Sequence, residues 1–154
     1  MKIEIVPFDL CYSREFRELN IAWLQKFFHV EPLDEEILGN PQKYIIDLGG
    51  HIFFARINNE IVGTIAPIKH SEGIFELSKM AVDPKYQGRK IGQKLLEASL
   101  EYAKTHNWRT LLLYSNRKLE NAIYLYKKFG FKEIEMEKDN PYARGDIKME
   151  LLLS

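Results

Sequence analysis

The sequence predicts an α/β protein: a mixed, mostly antiparallel central sheet of about seven strands, with helices on both faces. Three observations carry this. Residues 51–82 read as three short β-runs punctuated by Asn58-Asn59 and by His70-Ser71-Glu72-Gly73, the pattern of an antiparallel meander. Beyond Val82 the apolar spacing alternates between helical and strand periods. No linker, repeat or low-complexity tract interrupts the chain, so residues 1–154 are read as a single domain.

Taken in order, Ile3 and Ile5 belong to a first strand that Pro7 ends. Asp9 or Ser13 is placed to cap a helix whose apolar residues Phe16, Leu19, Ile21, Trp23, Leu24 and Phe27 recur at helical spacing. Asp34 is the expected cap of a second short helix that stops at Gly39-Asn40-Pro41. The aromatics of these two helices either line a pocket or fill the core, and core is the default reading. Residues 51–57, 60–68 and 74–82 are the meander strands. A helix follows from about Ile91 to Thr105, then a buried strand at Leu111–Tyr114 and a helix from about Leu119 to Phe129. Gly130 caps that helix, and 131–136 and 144–152 read as the last strands, joined by a loop around Asp139-Asn140-Pro141.

Composition narrows the function. Lys plus Arg and Asp plus Glu are both 22, so there is no global basic excess of the kind nucleic-acid binding uses. Cys11 is the only cysteine, which removes disulfide frameworks and cysteine metal sites, and His29, His51, His70 and His106 lack metal-ligand spacing. No apolar run is long enough to span a bilayer and the first residues carry no leader-like apolar stretch, so the expected location is the cytoplasm. Neither G-x-G-x-x-G nor G-x-x-x-x-G-K-[ST] occurs, which argues against a Rossmann dehydrogenase or a P-loop nucleotidase.

The stretch from Met80 to Leu96 is the most informative. A strand ends at Val82, Asp83-Pro84 breaks it, and the basic loop Tyr86-Gln87-Gly88-Arg89-Lys90 runs directly into a helix. Such a junction gathers free backbone N–H groups where the helix dipole favours anions, so it suits a pyrophosphate. An ordinary strand-to-helix turn with two glycines fits the same residues.

Two segments resemble the GNAT family of N-acetyltransferases. Gln87-Gly88-Arg89-Lys90-Ile91-Gly92 is similar to that family's acyl-CoA loop, Q/R-x-x-G-x-G/A, with Lys90 standing where the first loop glycine is usual. Ala122-Ile123-Tyr124-Leu125-Tyr126-Lys127-Lys128-Phe129-Gly130-Phe131 is similar to its A-x-x-L-Y-x-x-x-G-F helix. The likeness runs over nearly the whole chain.

The resemblance implies acetyl-CoA as cosubstrate and acetyl transfer to an amine of a small molecule or peptide. It implies that the backbone of Met80, Ala81 and Val82 holds the pantetheine arm, and that N–H groups of Gln87, Gly88, Arg89, Lys90, Ile91, Gly92 and Gln93 hold the pyrophosphate. Asn116 and Asn121 are candidates for further CoA contacts; a cap or turn role explains them equally. Tyr126 matches the tyrosine that protonates the departing thiolate, with Tyr124 as its substitute should Tyr126 point inward. Glu76 is the candidate base, because strand alternation sets Glu76, Ser78, Met80 and Val82 on one face. Glu76 then removes a proton through water, attracts a cationic acceptor, or does neither. Tyr142 and Arg144 either read a carboxylate-bearing acceptor or form a surface turn in which Arg144 pairs with Asp146. His29 and His70 are weaker candidates for an acceptor pocket. No metal, nucleic acid or membrane is expected, and a homodimer is possible. The alternative from another class is a non-catalytic acyl-CoA-binding module that senses the cofactor or regulates a partner.

Overall fold

Asn58 and Asn59 both take positive φ, 49° and 65°, the backbone that a tight hairpin turn requires and that asparagine tolerates. They fold β2 (Phe53–Ile57) onto β3 (Glu60–Ser71), and Gly73 at φ 77° turns β3 into β4 (Ile74–Val82). The computed structural model describes residues 2–140 and 142–153. The first strand, β1 (Glu4–Pro7), pairs with β2. After β4 the chain crosses through α3 (Ile91–Thr105) to β5 (Thr110–Ser115), as a parallel connection demands. It continues through α4 (Glu120–Lys128), β6 (Lys132–Ile134) and β7 (Ile147–Leu152). The sheet order is β1-β2-β3-β4-β5-β7-β6, antiparallel everywhere except between β4 and β5.

Each face of the sheet buries its own core. Phe53, Phe75, Leu111 and Met149 meet Leu95, Leu96 and Ala103 of α3 on one side, and Ile123 and Leu125 of α4 pack there too, with Phe129 at its C-terminal cap. On the other side α1 (Ser13–Phe27) and α2 (Pro32–Gly39) close over Phe54, Ile61 and Ala66. Phe16 of α1 stands edge-on to Phe54, with ring centroids 6.4 Å apart. Full burial of such a side chain stabilises the fold by about 1.5–3 kcal/mol.

Several boundaries differ from the sequence reading. Glu31, not Asp34, caps α2; Pro32 opens the helix and Asp34 reaches back to accept the Glu31 amide at 2.9 Å. The strand expected at 131–136 runs only from Lys132 to Ile134, and the last one is shorter than 144–152 because Asn140 and Asn116 hold residues 144 and 145 as a loop. Asn140 Nδ2 donates to the Gly145 carbonyl at 3.1 Å, and Asn116 Nδ2 to that of Arg144 at 2.8 Å. The part of that turn assigned to Pro141 lies outside the described residues.

The consequential correction is in β4. Thr64 faces Ala81 and Ala66 faces Ser78, so β4 carries one residue more than β3 across this span, and Lys79 takes φ 53°. This is a β-bulge, and it breaks the strict alternation expected for Glu76, Ser78, Met80 and Val82. Glu76 and Ser78 stand opposite Ile68 and Ala66, on the side of α1, whereas Met80 and Val82 pack on the α3 side.

Candidate functional site

The parallel ladder between β4 and β5 ends at Leu77 and Leu113, although β4 runs on to Val82 and β5 to Ser115. The two strands therefore splay, and the backbone edges facing the gap have no strand partner. A cleft of about 490 Å³ opens there. Its walls are β4 from Glu76 to Met80, Tyr114 to Asn116, the start of α4 with Asn121 and Tyr126, and the end of α1 with Trp23, Phe27 and Phe28. These last aromatics are partly exposed at the cleft, while Phe16 is core; Trp23 does both, packing against the same core and lining the cleft.

At one mouth lies the basic loop. Asp83 accepts the Lys85 amide at 3.0 Å and starts a single 3₁₀ turn over Pro84–Tyr86. Gly88 at φ 81° and Lys90 at φ 58°, ψ 29° then swing the chain into α3. The sequence departure at Lys90 thus falls on a left-handed position, a conformation that costs a non-glycine residue about 1–2 kcal/mol. No side chain caps α3, so the first-turn amides of Ile91, Gly92 and Gln93 keep the unmet donors of a helix start. Gly92 has neither a positive φ nor any neighbour within 4 Å of an added Cβ. Nothing in the protein itself calls for glycine there. Open space above uncapped amides beside Arg89, Lys90 and Lys94 suits a phosphate-bearing arm.

Tyr126 is half-buried at the cleft, edge-on to Phe131 with centroids 6.0 Å apart, and burial pushes its phenol up to about 12. Tyr124 is 72% exposed and does not line the cleft. Glu76 faces the cleft, and its Oε1 lies 2.8 Å from Nε2 of His70. The hydrogen bond to Glu76, with lesser help from Glu137, raises the His70 pKa against the effects of burial and Lys148. Asn116 lines the cleft but both ends of its amide are engaged, Nδ2 by Arg144 and Oδ1 by the Lys118 amide at 3.0 Å. Asn121 is exposed at the first turn of α4.

Sequence reasoning missed a buried cluster on the cleft wall. Arg144 grips Asp34 through two hydrogen bonds of 2.9 and 2.8 Å and reaches Glu31 at 3.2 Å. It does not pair with Asp146, which instead accepts the Arg117 amide at 2.8 Å. Lys79, re-aimed by the bulge, donates to Tyr142 Oη at 2.9 Å and lies 3.4 Å from Asp34. Burial works to raise the Asp34 pKa, but Arg144, the Glu31 amide and Lys79 together hold it below the usual carboxylate range. Burial lowers the Lys79 pKa and, with the Asp34 charge, raises that of Tyr142. One signal was available: a lysine at the inward parity of Phe75, Leu77 and Ala81 cannot continue a regular strand.

Residues 49–133, more than half of the chain, match the family model described as "Acetyltransferase (GNAT) domain". The chain belongs to the GNAT acetyltransferase family. Among curated relatives of this GNAT chain is the N-acetylaspartate synthetase of Mus musculus, 29% identical over 133 residues, covering 84% of this chain and 43% of that protein. The chain thus spans less than half the length of that relative. Among solved structures, a GNAT-family acetyltransferase of Staphylococcus aureus Mu50 is 26% identical with a TM-score of 0.88, covering 99% of this chain and 100% of that one. A GNAT acetyltransferase of Elizabethkingia anophelis, solved with acetyl-CoA bound, has a TM-score of 0.72 at 23% identity, covering 98% of each chain.

Proposed function

We propose that this GNAT domain transfers the acetyl group of acetyl-CoA to a primary amine by direct attack in a ternary complex, with Glu76 as base and Tyr126 as acid. The observation that carries this reading is that both side chains line the one cleft that opens where β4 and β5 part. The unpartnered edge at Met80, Ala81 and Val82 holds the pantetheine arm. The amides from Gly88 to Gln93 hold the pyrophosphate, that of Gln87 being spent on the Pro84 carbonyl at 3.3 Å, with Asn121 at the edge of the site. Acetyl-CoA, when bound, supplies an activated thioester carbonyl.

An alkyl amine has a pKa of about 10.4 and arrives as a cation, so it must lose a proton before it attacks. Glu76 accepts that proton, directly or through one water. Tyr126 keeps its proton throughout the physiological range and donates from Oη to the leaving sulfur, whose thiolate is also disfavoured by burial.

The cleft wall also bears on the acceptor. Arg144 is already bound to Asp34 and Glu31, so it offers no free fork to an acceptor carboxylate. The charges that line the cleft balance, Asp34, Glu76 and Glu120 against Lys79, Lys118 and Arg144, so net charge does not select the acceptor; Asp34 is held by Arg144 and Lys79, which leaves Glu76 as the carboxylate placed to meet a cationic amine. The test is thiol release from acetyl-CoA with a panel of spermidine, phenethylamine, an N-terminal peptide amine and L-aspartate, the last because relatives are named for N-acetylaspartate. Turnover with a cationic amine, reduced in both Glu76→Gln and Tyr126→Phe, supports the reading. Unchanged turnover in both variants would sink the assigned roles.

A further inference from the structure

Glu76 must shed the proton it takes before the next turnover, and the structure offers one side chain to receive it. His70 sits two residues beyond Ile68, which pairs with Glu76 across the β3–β4 ladder, so the imidazole lies diagonally beside the carboxylate. Nε2 of His70 is 2.8 Å from Oε1 of Glu76, within direct proton-transfer reach. Exposure rises along this line: the Glu76 side chain is 17% accessible and that of His70 39%. One end of the pair faces the cleft and the other faces water.

We propose that His70 relays the acceptor's proton from Glu76 to solvent. The idea rests on Glu76 being the base. The proton balance is closed. An N–H bond of the acceptor ammonium breaks as an O–H bond forms on Glu76. That O–H breaks as N–H forms at the unprotonated Nε2 of a neutral His70 ring, the form present above the ring's own midpoint, and the resulting imidazolium gives one ring proton to water. Glu76 is again a carboxylate. Lys148 and Glu137, themselves paired at 2.9 Å, act on His70 from the far side with opposite signs, and Lys79 acts on Glu76 from beyond the bulge. His70 is a positioning and relay residue and touches no substrate.

Two readouts test this. The first is NMR titration of the His70 ring in protein saturated with CoA, which needs no acceptor. Its midpoint is expected above that of an ordinary histidine and should fall in Glu76→Gln; an unmoved midpoint would overturn the pairing. The second is turnover with the fastest of spermidine, phenethylamine, the N-terminal peptide amine and L-aspartate. His70→Ala should lower kcat by about tenfold with little change in the KM of acetyl-CoA, and imidazole added to the buffer should restore it in a concentration-dependent way. His70→Gln, which fills the space but cannot relay, should be slow and unrescued. A His70→Ala enzyme as fast as wild type, or slow and indifferent to imidazole, overturns the relay. If Glu76→Gln is then still impaired, the base assignment stands without it. An unimpaired Glu76→Gln removes the base and the relay together, as does a protein that acetylates none of the four amines.

Discussion

Removing the Asp34 carboxylate should destabilise the protein more than any other single polar change on the cleft wall. Asp34 is fully buried, accepts two hydrogen bonds from Arg144 and one from the Glu31 amide, and lies 3.4 Å from Lys79. Asp34→Ala strips Lys79 of its ion pair and leaves Arg144 with Glu31 alone, and breaking a buried pair in this way costs about 3–5 kcal/mol. Arg144 borders the cleft and its side chain is 17% exposed, so it can turn partly to water; the low end, about 3 kcal/mol, is expected. For a chain of this length each kcal/mol moves the melting temperature by about 2–4 °C, so the drop should be about 6–12 °C. Thermal melts and urea unfolding with an unchanged slope would measure it. Adding Lys79→Met should recover part of the loss by removing one stranded cation. The carboxyl titrates below its ordinary value in the fold, so its contribution is complete above about pH 4 and fades as pH falls through the lower folded value. A loss under about 1 kcal/mol, or a double variant weaker than the sum of its parts, would refute this account of the cluster.

Four shorter predictions follow from other sites. Lys90→Gly relieves a left-handed lysine at φ 58° and should raise the melting temperature by about 1–3 °C, less than the full relief because glycine loses more entropy on folding. Tyr126→Phe should lower kcat by about a hundredfold and leave acetyl-CoA affinity nearly unchanged, since the ring contact with Phe131 is kept. His51 lies against Phe75, Tyr102 and Trp108, and burial, with a smaller contribution from His106, lowers its pKa. Stability should therefore decline as pH falls below about 6.5, where the unfolded imidazole binds its proton first, and His51→Phe should flatten that part of the melting profile. Glu76→Gln should fold normally, because Glu76 borders the cleft and, among the described residues, its side chain hydrogen-bonds His70 alone.

Periodicity exposed most of the fold. The Asn58-Asn59 turn, the α3 and α4 stripes and the strand order of the meander were readable because each depends on residues close in the chain. The loop from Gln87 to Gly92 was readable for the same reason, including the awkward lysine. The bulge at Lys79 was not, because alternation alone cannot show that β4 carries one extra residue against β3. That miss hid the cluster it serves. Lys79 meets Asp34 and Tyr142, which lie 45 and 63 positions away in the chain, and no local pattern links them. The sequence shows His70 only as a weaker acceptor-pocket candidate; its cross-strand contact with Glu76 depends on the β3–β4 register.

The claim on which everything else depends is that the β4–β5 gap and the α3 loop form a slot for acetyl-CoA. Calorimetric titration of the wild type and of Gly92→Glu with acetyl-CoA tests it most directly. A Cβ added at Gly92 has open space around it, so the variant should fold and melt no lower than the wild type. Saturable one-to-one binding by the wild type, at least tenfold weaker in Gly92→Glu because a carboxylate now stands where the phosphates belong, is the predicted result. Equal binding by both proteins, or binding by neither, would contradict the slot and the chemistry built on it.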